Sequence, residues 1–164
     1  MKLKMEAKQP EKIEMEYRKL GPSGLLVPAL SFGNMTFTEE KDEPLYLGLI
    51  KKCWEYGIKM FDTADMYGDN LSEILLGRIL KKLNYPRDEY IISTKIFFTN
   101  FNFTKLQPNS IGLSRKHIYE AATSSLKRLQ MDNVDIIFCH RRDELATMEE
   151  ICRGMNWLVE QNKC

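Results

Sequence analysis

One pattern restricts this chain more than any other. A short apolar run, a polar junction and an amphipathic helical stretch follow one another four times. The apolar runs are residues 29–33, 58–62, 90–95 and 134–140. The helical stretches place Tyr46, Leu49, Ile50, Cys53 and Gly57 on one face, then Leu71, Ile74, Leu75, Ile79 and Leu83. The third places Ile118, Ala122, Ser125, Leu126 and Leu129, and the fourth Ile151, Met155, Leu158 and Val159. Spacings of three and four are those of a helix with one buried side. Pro44, Ser114 and Thr147 stand where helices open, and Gly57 stands where the first should close. Strands joined through helices run parallel with right-handed crossovers. Ahead of them, residues 17–20 and 25–28 flank Gly21-Pro22-Ser23-Gly24 and read as a hairpin.

Four such units fit either a doubly wound sheet or a (β/α)8 barrel. Polar groups decide between them, because they recur at successive strand ends: Asp62 after the second run, Ser93-Thr94-Lys95 closing the third, Cys139-His140-Arg141 closing the fourth. Barrel enzymes gather their chemistry at that carboxyl face. The predicted fold is therefore α/β, of the (β/α)8 TIM-barrel type. The chain is read as truncated to the N-terminal hairpin plus four βα units, since a whole barrel takes eight units and about 250 residues. Residues 1–16, charged and of mixed sign, read as a flexible N-terminal arm, and residues 17–164 as half of a barrel domain.

Composition excludes several classes. Hydrophobic residues make up 43% of the 164, enough for a core. A formal net charge of +1 gives no broad field for nucleic acid. The four cysteines form no CxxC pair, so no metal site is signalled, and reduced thiols in a cytoplasmic setting are the expectation. No apolar run reaches the ~20 residues of a membrane span, so no direct membrane insertion is expected. The N-terminus lacks the apolar segment of a secretory signal.

Asp62, Tyr67, Lys95 and His140 are the candidate catalytic residues. A free phenol titrates near 10. An adjacent ammonium stabilises phenolate, so Lys95 is suited to make Tyr67 a proton donor. Asp62 would hold Lys95 and keep it charged. His140 would donate a hydrogen bond to a carbonyl substrate. Side chains supply no hydride, so a nicotinamide cofactor is implied. Each residue has a plainer role: a rim tyrosine, a solvated lysine, a core histidine, a turn-capping aspartate. Their recurrence at one face outweighs those roles taken singly. His117 is assigned none. Residues 96–112 form a long loop with Phe97, Phe98, Phe101 and Phe103, which either packs on the rim or lines a substrate site.

With these residues the chain resembles the aldo-keto reductases, barrels that use NADP(H) to reduce aldehydes and ketones to alcohols. The resemblance lies in Tyr17-Arg18-Lys19-Leu20-Gly21-Pro22-Ser23-Gly24-Leu25, Phe61-Asp62-Thr63-Ala64, Met66-Tyr67-Gly68, Thr94-Lys95 and Cys139-His140-Arg141. It is similar in particular to the voltage-gated potassium channel β subunits and related reductases, through residues 112–118 and 128–135 and Met148-Glu149-Glu150. The resemblance implies a catalytic tetrad of Asp62, Tyr67, Lys95 and His140, with Tyr67 the proton donor. It implies cofactor contacts from Gly33, Asn34, Met35, Asp62 and His140. It also implies a small-molecule carbonyl substrate. The alternative it implies is a cytoplasmic regulator bound to a voltage-gated potassium channel α subunit, assembled as a homo-oligomer. His140 stands where channel β subunits usually carry Asn, which favours catalysis. Met35 stands in place of their Trp, and Arg142 in place of the family's usual Pro. The family's phosphate-binding strands seven and eight fall beyond residue 164, so an inactive chain is a further expectation.

Overall fold

The structure is a computed structural model that describes residues 14–99 and 107–164. Residues 1–13 of the expected arm, and Phe101 and Phe103 of the aromatic loop, lie outside the described residues. The hairpin is present: β1 (Tyr17–Lys19) pairs antiparallel with β2 (Leu26–Pro28) in a sheet of their own. A parallel sheet follows, with β3 (Phe32–Gly33), β4 (Met60–Asp62), β5 (Ile91–Ile96) and β6 (Ile136–Cys139) lying side by side in chain order. Helices α1 (Glu43–Glu55), α2 (Leu71–Leu83) and α3 (Arg115–Leu129) cross between successive strands, and α4 (Met148–Glu160) follows the last. Sequential order with no strand skipped is the arrangement of a barrel wall rather than of a doubly wound sheet, in which the order reverses.

Register divides the strand residues between two faces. Gly33 pairs with Asp62, Asp62 with Ser93, and Lys95 with Phe138. Neighbours in register point the same way and alternate residues point oppositely. Gly33, Asp62, Ser93, Lys95 and Phe138 therefore share the concave face. Phe61, Ile92, Ile96 and Ile137 are buried on the other face, towards the helices. Leu75, Leu76 and Ile79 of α2 and Ile118, Ala122, Leu126 and Leu129 of α3 complete this core.

Two glycines set how closely the helices approach. A Cβ on Gly77 of α2 would lie 2.2 Å from the Leu129 carbonyl oxygen at the end of α3, and one on Gly154 of α4 would meet Ile118 at 2.8 Å. At Gly77 the obstacle is backbone, so only hydrogen fits; at Gly154 it is the tip of the Ile118 side chain. Between α2 and α3 lies a buried carboxylate, Glu73, with no exposed surface. Arg128 Nε donates to its Oε2 at 2.6 Å and Thr94 Oγ1 to its Oε1 at 2.6 Å, so both oxygens of this buried charge are satisfied.

The helix starts follow the sequence reading. Ser114 Oγ accepts from His117 N–H at 3.2 Å, Thr147 Oγ1 accepts from Glu150 N–H at 3.2 Å, and Gly57 takes φ +75° past the end of α1. Strands β3, β4 and β6 are shorter than expected, while β5 keeps its six residues one place further on. Ala29 N–H is still bonded to Glu16 O at 2.8 Å, which ties it to the hairpin and delays β3 until Phe32. Two residues expected inside are exposed: Leu49 on α1 and Val159 near the end of α4. His117 is buried, although charged residues flank it in sequence. Adjacent positions lie about 100° apart around a helix, so Arg115 and Lys116 look outward while His117 turns in.

Candidate active site

Asp62 is the last residue of β4 and Lys95 the penultimate residue of β5, on the same face of adjacent strands. Lys95 Nζ donates to Asp62 Oδ2 at 2.5 Å and to Thr63 O at 2.8 Å. Ser93 Oγ donates to Asp62 Oδ1 at 2.6 Å. Both carboxylate oxygens are thus held, and the ammonium is fixed by two acceptors. His140 follows β6, its N–H bonded to Ile96 O at 3.0 Å, so the sheet register places it as well.

Tyr67 sits on the loop between β4 and α2. Gly68, Asp69 and Asn70 take φ values of +58°, +56° and +75° in succession, a left-handed run that turns the chain sharply before α2. At Gly68 glycine is required twice over, since a Cβ would also lie 2.8 Å from Phe37 O. The turn brings the phenol ring over the strand ends. Lys95 Nζ lies 4.9 Å from the Tyr67 ring centroid, within cation–π range. The His140 ring lies 5.8 Å away, edge to face at 84°. All four predicted residues meet at one end of the sheet. The lysine's hydrogen bonds go to Asp62 and Thr63, and it meets Tyr67 through the ring.

The setting makes His140 a poorer base. Burial holds its basicity below the usual histidine value, and the positive charges of Lys95 and Arg141 add to the effect against a smaller opposing pull from Asp62. The ring is therefore neutral at pH 7 and keeps one N–H and one acceptor nitrogen. Its Nδ1 is buried and has no hydrogen-bond partner. Phe98, two residues past the end of β5, packs on it ring edge to ring face with 5.8 Å between centroids.

Comparison with known proteins shows the family. The sequence profile of the Aldo/keto reductase family matches residues 29–164, most of the chain. This chain belongs to the aldo/keto reductase family. It is similar to proteins of Arabidopsis thaliana and Oryza sativa subsp. japonica, both named "Probable voltage-gated potassium channel subunit beta". It is 40% identical to the first over 148 residues, covering 90% of this chain and 44% of the relative. It is 40% identical to the second over 147 residues, covering 89% and 43%. A crystal structure of a thermostable aldo-keto reductase in complex with the inhibitor epalrestat superposes with a TM-score of 0.76 at 26% identity, over 90% of this chain and 50% of that one. The chain thus spans about half the length of the relatives it matches, and its fold is of the (β/α)8 barrel type.

Among the residues named from the aldo/keto reductase resemblance, Asn34 is built in most firmly. It is buried, its N–H donates to Asp62 O at 2.8 Å, and its Nδ2 donates to the same oxygen at 3.0 Å. Its Oδ1 is buried without a partner. Gly33 has open space where a Cβ would stand, so neither backbone geometry nor crowding demands glycine there. Met35 is 62% exposed. Sequence reasoning noted Ser93 at a strand end but gave it no role, although period-two spacing from Lys95 places it on the same face. Asp65 could be read only as a turn cap, since nothing local ties it to Phe97, 32 residues on. Among the described residues no group of His, Cys, Asp and Glu is placed to hold a metal ion, and no helix is long and apolar enough to cross a membrane.

Proposed function

We propose that this chain carries the proton-donating part of an NADP-dependent reductase site that converts aldehydes and ketones to alcohols. The observation that carries the reading is the convergence of a fixed ammonium, a phenol and a neutral imidazole at the ends of three adjacent strands. Tyr67 donates the proton to the substrate oxygen. Lys95, bound to Asp62 Oδ2 and poised over the phenol ring, stabilises negative charge developing on that ring. Asp62 keeps Lys95 charged and immobile. Neutral His140 donates an N–H to the carbonyl oxygen and orients it towards Tyr67.

The residues present suit the reacting end of a nicotinamide cofactor. A carboxamide NH2 donates, and the site holds two buried acceptors without a partner, Asn34 Oδ1 and, with the His140 N–H directed at the substrate, His140 Nδ1. Gly33, Asn34, Met35, Asp62 and His140 would border the nicotinamide. When bound, the cofactor supplies the hydride that no side chain can. Kinetics test the assignment. In NADPH-dependent reduction of a simple aldehyde by a protein carrying residues 1–164, Tyr67→Phe lowers kcat about 10²–10⁴-fold and leaves KM nearly unchanged. A variant that turns over like the parent overturns it.

A second reading has its own support in the relatives' names: a cytoplasmic partner of a voltage-gated potassium channel α subunit, acting as a homo-oligomer. Co-purification with a channel's cytoplasmic domain that is indifferent to Tyr67→Phe favours it, and absence of such binding removes it.

A further inference from the structure

We propose that Asp65 is a positioning residue for the Tyr67–His140 pair, its carboxylate standing in for its own backbone carbonyl in the ladder that joins the tyrosine loop to β5. The inference rests on the reading of Tyr67 and His140 as reacting groups. After Asp62 the chain leaves β4, yet pairing with β5 continues. Thr63 N–H donates to Ser93 O at 2.9 Å and Asp65 N–H to Lys95 O at 3.0 Å. Earlier in the same ladder Ile91 N–H donates to Lys59 O at 2.8 Å. Carried forward in a parallel register, that offset directs the Phe97 N–H to the carbonyl of residue 65.

The bond is made differently. Phe97 N–H donates to Asp65 Oδ2 at 3.0 Å, and the Asp65 carbonyl instead accepts from Asn70 Nδ2. Asn70 Nδ2 also reaches Thr99 O at 2.5 Å. The backbone carbonyl is thereby freed to close the left-handed turn behind Tyr67, while the side chain keeps the strand end attached. Asp65 is 1% exposed and its Oδ1 is buried without a partner, so the carboxyl is held out of water while its Oδ2 takes the Phe97 N–H.

Two walls of the His140 environment follow from it. Tyr67, two residues beyond Asp65, is edge-on to the imidazole. Phe97, held by the carboxylate, packs its ring 4.6 Å from that of Phe98, which covers His140. Both depend on where Asp65 pins the backbone.

The test is spectroscopic and needs no turnover. The chain has two histidines, and His140→Asn assigns their resonances. Asp65→Ala, with helical content retained, is expected to lose the Tyr67–His140 ring contacts in NOE spectra. The His140 titration should move up towards the ordinary histidine value by about half a pH unit or more, as water reaches the ring. Asp65→Asn keeps an acceptor oxygen for Phe97 and retains the contacts, the titration and slow exchange of the Phe97 amide. A folded Asp65→Ala variant with unchanged contacts and titration overturns the proposal. So does a folded Asp65→Asn variant that loses them, which also decides the matter if Asp65→Ala does not fold. The outcome is separate from that of Tyr67→Phe kinetics, so either idea can fail alone.

Discussion

Asp65 and His140 are shifted in opposite senses by the same burial. Burial lifts the Asp65 carboxyl to about 7, with Glu73 adding to the rise and the Phe97 N–H and Arg128 opposing it. The folded chain then binds this proton more tightly than the unfolded one, so the contribution to stability is full below the ordinary carboxylate range. It is lost as pH rises through about 7. Asp65→Asn removes the titration. Its melting temperature relative to the parent is expected to climb between about pH 5 and 8, by an amount equivalent to roughly 3 kcal/mol at most. A flat difference would contradict the assignment. His140 runs the other way: its depressed basicity stabilises the fold above the ordinary histidine value and ceases to do so as pH falls through its lowered one. The catalytic candidates could be read from sequence because Asp62, Lys95 and His140 each close a strand, and strand ends are visible as apolar runs that stop. Asp65 could not. Its bond partner, Phe97, is 32 residues away, and only the register of two strands brings them together.

Helix α2 is fixed at two points of different kind, and each predicts a distinct failure. Gly77→Ala forces a methyl against the Leu129 carbonyl, which as backbone cannot swing aside. The expected loss is about 1–3 kcal/mol in chemical denaturation, with no change in the site's titrations. Arg128→Met strands Glu73 without its cation and is expected to cost about 3–5 kcal/mol, partly restored by Glu73→Gln in the same chain. An additive double variant would show the pair to be independent. These contacts also show where sequence patterns stop informing. Apolar spacing identified Leu75 and Ile79 as core, but it is blind to Glu73, whose burial becomes tolerable only because Arg128 and Thr94 arrive from other elements. Leu49 and Val159 satisfy the helical spacing and are nonetheless exposed, since periodicity defines a side of the helix and not what lies against it.

For the molecule as a whole, the parallel sheet is paired on one side only at β3 and at β6 among the described residues. Its concave face carries Phe138, 46% exposed. Unpaired strand edges beside apolar surface favour association. Sedimentation of the 164-residue chain is expected to show oligomers, and a folded monomer at high concentration would refute that. Alternation of strand and helix made the barrel class legible from sequence. What occupies the far side of the concave face is a matter of length and partners, which no local pattern encodes. His140, already made a poorer base by the surfaces that shield it, faces this open side. Whatever seats itself there will exclude still more solvent from the imidazole and make it harder to protonate. By linkage, acid must in turn loosen that seating, so coverage of this face and charge on the histidine oppose one another.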